Sequence, residues 1–136
     1  MALIKELLRS ENDGSISFGD YSLQEKSKLD NFEHEGDVLK VKTFNEITRL
    51  EKNGLFLYES VPGTAVTGFK ETDDGMEFIV EGNEDAQITV GLLEDTEYDV
   101  TVGDEDTGKM KTNLGGKLSL SVELAGAGEV KVKITK

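Results

Sequence analysis

Cysteine and tryptophan are absent from this chain, and proline and histidine occur once each among its 136 residues. Without cysteine there is no disulfide, no thiol nucleophile and no thiolate metal site, and nothing points to an oxidising compartment. Without tryptophan the strongest stacking surface for a sugar ring is missing. No apolar run is long enough to span a bilayer. The first nine residues carry only short apolar runs broken by Lys5, Glu6 and Arg9, with no apolar core or cleavage site of a signal peptide, so a cytoplasmic location is expected. One histidine and no Gly-x-Ser-x-Gly elbow leave little material for a hydrolytic triad. Leu114-Gly115-Gly116-Lys117 lacks the spacing and following helix of a phosphate-binding loop. The chain is therefore expected to be no enzyme, and no tandem repeat marks a solenoid or propeller.

What is abundant is negative charge. The net charge is −13, and from Glu71 to Asp106 there are 14 acids and no base. A field of that sign repels phosphate backbones and anionic lipid, so neither nucleic acid nor a membrane is an expected partner. It suits a cation or a basic protein, although such charge more often simply keeps a β protein soluble and blunts its edges.

Hydrophobic periodicity speaks for strands. Ile88 and Val90 alternate with polar neighbours, as do Tyr98, Val100 and Val102 after a corner at residues 92–97. Further alternating runs fall at 15–19, 37–44, 47–51, 55–59, 65–70, 76–81, 109–112, 117–124 and 129–134. Asn53-Gly54 supplies the positive φ of a tight hairpin turn. Residues 20–32 read as loop or irregular strand. Leu3, Ile4, Leu7 and Leu8 fall at helical spacing and predict a short amphipathic helix over residues 2–9 that must dock on the body or a partner. Pro62-Gly63 marks a joint, either a hinge or a crossover between sheets. The expected architecture is mostly β: an antiparallel sandwich at residues 63–136, with a β-rich N-terminal part carrying the short helix at residues 1–62.

Leu92-x-x-x-Thr96-x-Tyr98-x-Val100-x-Val102 resembles the corner before a late strand in fibronectin type III-like domains, members of the immunoglobulin-like sandwiches. The resemblance implies that the Tyr98 hydroxyl bonds back to the corner backbone. Glu94-Asp95 stands where that family usually has Pro-Gly, and the strands that follow are too many for its standard order. Residues 115–122 through 130–134 resemble the final hairpin of β-sandwich modules appended to carbohydrate-active enzymes. The whole chain is similar to small uncharacterised acidic proteins of anaerobic Gram-positive bacteria.

Candidate functional residues are few. His34 lies among Glu33, Glu35 and Asp37, where it could act as a base or join carboxylates on a metal; a loop histidine among acids is more often solvated surface. Asp73/Asp74, Glu84/Asp85 and Asp104/Asp106 are carboxylate pairs in expected turns, and turn tips are convex where a glycosidase needs a cleft. Asp104 and Asp106 offer hard oxygens for calcium, as does the segment 10–14, but the twelve-residue loop's closing glutamate is missing and Asp-Gly turns are common hairpin chemistry. No other cofactor is expected. Phe56 and Tyr58 head the aromatics of the first half as candidates for stacking on a ligand, while Phe44, Phe56 and Phe69 read more readily as core. The leading expectation is a non-catalytic binding or assembly protein that works through protein contacts, including contacts with itself as a homo-oligomer. A carbohydrate-binding accessory module and a carboxylate-based or metal-assisted enzyme are the alternatives.

Overall fold

The computed structural model describes residues 3–136, and these form thirteen β-strands and no helix. Numbered in chain order, seven lie side by side in one antiparallel sheet as β1 (Leu8–Ser10), β2 (Ile16–Phe18), β7 (Ala65–Thr72), β8 (Gly75–Glu81), β13 (Val130–Thr135), β10 (Glu97–Val102) and β11 (Glu105–Lys111). Six form the other: β12 (Lys117–Val122), β9 (Ala86–Gly91), β6 (Leu55–Val61), β5 (Thr48–Lys52), β4 (Asp37–Thr43) and β3 (Ser27–His34). Period-two burial along β8, β9, β10 and β12 turns every second residue inward, so two faces close over one core. Phe18, Tyr58, Phe69 and Phe78 meet at its centre with ring centroids 5.2–6.2 Å apart, mostly edge to face. Strands from both sides of Pro62 pair in each sheet, β2 with β7 and β6 with β9, and the joint itself is a crossover from one sheet to the other. No helix among the described residues is long and apolar enough to cross a membrane.

Three expectations are corrected. The helix expected over residues 2–9 is not formed; Ala2, with Met1, lies outside the described residues. Instead Leu7 N–H donates to Ile4 O across a tight turn, and Leu7 adopts φ 73°. Two helical turns would leave most of their backbone unpaired, whereas Ile4 and Leu7 hydrogen-bond to Gly19 and β1 pairs with β2. Ile4 and Leu8 are buried in this extended form, so their spacing reflected core contacts made from a turn. Second, residues 117–134 are no hairpin: β12 pairs with β9, and β13 inserts between β8 and β10. Third, the turn expected to hold both Asp104 and Asp106 shrinks to Gly103 and Asp104, because β11 starts at Glu105 and takes in Asp106.

At one end of the sandwich three chain reversals converge: the exit from β2, the β4–β5 turn and the β6–β7 crossover. Their backbone needs are met by buried hydroxyls. Asp20 N–H donates to Thr43 Oγ1 (3.0 Å), which is 2.8 Å from Thr48 Oγ1. Thr48 Oγ1 donates to Thr64 O (2.9 Å) and accepts from Thr64 N–H (3.1 Å). Thr64 Oγ1 in turn lies 2.8 Å from both Tyr58 Oη and Ser60 Oγ. The packing here leaves no room for a Cβ at Gly19, which would sit on the carbonyl oxygen of Thr64, or at Gly63, which would sit on that of Phe44.

Burial pushes the Tyr58 phenol well above its ordinary value, its hydrogen bonds to Thr64 and Ser60 opposing this only in part. A phenol whose folded value is raised keeps its stabilising contribution below the unfolded value of about 10 and loses it as pH climbs beyond. In an alkaline titration at 295 nm, the Tyr58 phenolate is therefore expected to appear only together with loss of the β signal in circular dichroism. Ionisation of all three tyrosines in a still-folded protein would contradict this placement. Tyr58→Phe is expected to cost about 1–2 kcal/mol in urea unfolding.

Candidate functional site

At the end opposite the hydroxyl chain the two sheets part into a cleft of about 290 Å³. Ile16, Leu39, Leu57 and Phe69 form its apolar floor and Asp13, His34, Glu35, Asp37, Lys52, Lys70 and Glu71 lie at its rim. This concavity gathers His34 with several acids, the arrangement that would favour an enzyme. Its polar groups, however, are largely engaged with one another. Lys52 Nζ is 2.7 Å from Glu71 Oε1, Asn53 donates to Asp37 (2.9 Å), and Ser15 donates to Asp13 through both its backbone N–H (3.0 Å) and its hydroxyl (2.5 Å). These Ser15 bonds hold the Asp13 carboxyl below its usual range.

His34 itself is a clasp. Its Nε2 lies 3.0 Å from Gly14 O, which can only accept, so Nε2 carries the proton; Glu35 Oε2 is 3.1 Å away. Nδ1, 2.8 Å from Ser10 Oγ, then accepts that hydroxyl's proton in the neutral ring. Both nitrogens thus tie the last residue of β3 to the β1–β2 hairpin, joining the two sheets along one side. Within that hairpin the Glu11 carboxylate accepts from the Ser17 hydroxyl and from Arg9 (2.9 Å), and these bonds, Ser17's first, lower its pKa. Their contribution is present above the ordinary carboxylate range and fades as pH falls through the lowered value.

The other sequence candidates separate. Tyr58 is fully buried and has no surface to offer a ligand. Phe69 is core, but Phe56 is half-buried on the outer face of the six-stranded sheet, between Arg49 (5.3 Å from the ring centroid) and Lys117 (4.7 Å). Asp104 lies in the two-residue turn and Asp106 within β11, where it accepts from Gly108 N–H (2.8 Å). Among the described residues no three His, Asp or Glu side chains gather where a metal ion could be held. Asp85 accepts from the backbone of Leu124 and Ala125. A few acids of the base-free run meet lysines: Asp99 pairs with Lys109 (3.2 Å), Asp95 with Lys111 (3.1 Å), and Lys133 stands opposite Glu77. The Tyr98 hydroxyl does meet its corner, accepting from Leu93 N–H at 3.2 Å.

The sequence did not single out the sandwich's remaining open side. Between β11 and β12 lies a gap of about 320 Å³ lined by Gln87, Val102, Thr107, Met110, Ser119, Leu120 and Ser121. Sheet edges expose unpaired backbone and are usually blunted by shortness, bulges or charge. Edge strand β1 has three residues. β3 is bulged between Leu29 and Phe32 and carries Lys28, Asp30 and Glu33 on its exposed positions. β11 pairs through an irregularity at Val100/Thr101 and bears Glu105, Asp106, Lys109 and Lys111. β12 has none of these devices: six residues, an unbroken register with β9, and one charged residue, Lys117.

No family model, no curated protein and no solved structure matches the chain.

His34→Ala removes the clasp. The amides of Leu8–Ser10 are expected to exchange about tenfold faster in hydrogen–deuterium exchange while those of β8 and β13 change little, because the loss is local. Uniform acceleration across both sheets would show that His34 supports the whole core instead.

Proposed function

We propose that this protein is a non-catalytic binding or assembly protein that works through protein contacts at the β11–β12 side. The unguarded edge of β12 carries the reading: it presents main-chain donors and acceptors in a row, beside half-buried Val102 and Met110 that an added strand would cover. Catalysis finds less support, because both ring nitrogens of His34 are committed to Ser10 and Gly14. Carbohydrate binding draws only on Phe44 and Phe56 as half-buried aromatics, the others being buried or, for Phe32, packed on the core. The bond from Leu93 N–H to the Tyr98 hydroxyl supports the finer, fibronectin type III-like reading of residues 64–136, and β13 between β8 and β10 departs from it.

A photo-crosslinking residue placed at Ser121, irradiated in cells that make the protein naturally, is expected to yield adducts with polypeptide. The same residue at Glu33, on the opposite edge, should give few. Equal labelling from both positions, or none from Ser121, would overturn the reading.

A further inference from the structure

We propose that the strand received by β12 is β12 of a second copy, paired antiparallel about a twofold axis at Leu120; this rests on the reading of the β12 edge as a contact surface. The backbone fixes the register. Leu92 N–H donates to Gly116 O (2.7 Å), and Gly116 and Leu92 continue the β12–β9 register, in which Leu118 faces Val90, Leu120 faces Ile88 and Val122 faces Ala86. Hydrogen-bonded pairs alternate along an antiparallel ladder, so Leu118, Leu120 and Val122 bond inward to β9. Lys117, Ser119 and Ser121 then turn their N–H and C=O groups outward. Lys117 is already occupied: its N–H donates to Asn113 Oδ1 (2.9 Å) and its C=O accepts from Asn113 N–H (3.0 Å). Ser119 and Ser121 are left as the free stretch of edge.

A symmetric pairing must place inward side chains opposite inward side chains, so its axis passes through a residue of β12. With the axis at Leu120, Ser119 of each copy faces Ser121 of the other. Both such pairs are of the hydrogen-bonded kind, and each exchanges two N–H···O bonds, which satisfies the outward groups of Ser119 and Ser121. With the axis at Ser119, Ser121 would face Lys117, whose backbone is taken. The Leu120 axis also sets Lys117 opposite Glu123 across the seam, twice by symmetry, and Glu123 is exposed with no ion-pair partner among the described residues. The joined sheets run continuously through both copies, and the gap holding Met110 lies along the seam.

Sedimentation and light scattering of the full chain at physiological salt, up to about 1 mM protein, test this. A concentration-dependent dimer is expected. Ser119→Pro removes an outward N–H that the monomer does not use, so it should fold and weaken dimerisation by more than about tenfold. Should that variant fail to fold, Lys117→Glu serves: it places like charges together, should weaken the dimer severalfold, and should be rescued by adding Glu123→Lys. A chain that stays monomeric throughout, or a dimer indifferent to both Ser119→Pro and Lys117→Glu, overturns the second-copy proposal. The crosslink at Ser121 separates the two levels. An adduct of twice the chain mass supports the dimer, an adduct with a different polypeptide overturns it and keeps the contact reading, and no adduct removes both.

Discussion

Everything in this sandwich depends on how its chain changes sheets, and the buried hydroxyls of Thr43, Thr48, Ser60, Thr64 and Tyr58 make one end of that traffic tolerable. Where strands turn, backbone donors and acceptors lose their ladder partners, and a buried orphan costs about 1–3 kcal/mol. Thr48 Oγ1 answers both polar groups of Thr64, and Thr43 Oγ1 answers Asp20 N–H. The same hydroxyls reach Tyr58 at the heart of the aromatic cluster, so the polar chain and the apolar core meet in one side chain. Removing the central threonine hydroxyls would strand several groups together, because in such a network each oxygen serves two partners.

With that end locked, the two long sides of the sandwich are left to differ. On one, the imidazole of His34 joins β3 to the β1–β2 hairpin, and the strand there is bulged and charged. On the other, β12 is regular, nearly uncharged along its length and next to a gap lined by Met110. Closing one side and leaving the other regular is the asymmetry on which the proposed strand addition at β12 rests. The one histidine in the chain bonds across that closed side, to Ser10 and Gly14.

Strand positions were largely legible, because Val, Ile and aromatic residues alternate with polar ones wherever one face is buried, as along Ile88–Val90 and Tyr98–Val102. Asn53-Gly54 announced its turn, and Asn53 and Gly54 both take positive φ (53° and 80°). The helix was misread because Leu3, Ile4, Leu7 and Leu8 satisfy helical spacing while Leu7 turns left-handed; periodicity cannot see a tertiary partner such as Gly19. The final hairpin was misread for a related reason: the resemblance of residues 115–122 and 130–134 to the last hairpin of sandwich modules set them against each other, whereas β12 pairs with β9 and β13 with β8 and β10. His34 was visible as the lone histidine, but its partners Ser10 and Gly14 lie 24 and 20 positions away, beyond any local pattern. The β12 edge left only a faint trace, in the scarcity of charge along Leu118-Ser119-Leu120-Ser121-Val122, which becomes meaningful once that strand is known to lie at a border.

The most direct test of this account is the hydrogen-exchange rate of the Thr64 amide, the backbone donor held by the Thr48 hydroxyl. If the hydroxyl chain locks the crossover, that amide exchanges only through global unfolding, with the same protection and denaturant dependence as the most protected amides of β8 and β13. Exchange by local opening, fast and insensitive to denaturant, would mean that the core holds the crossover without it and would contradict the central role given to the hydroxyls.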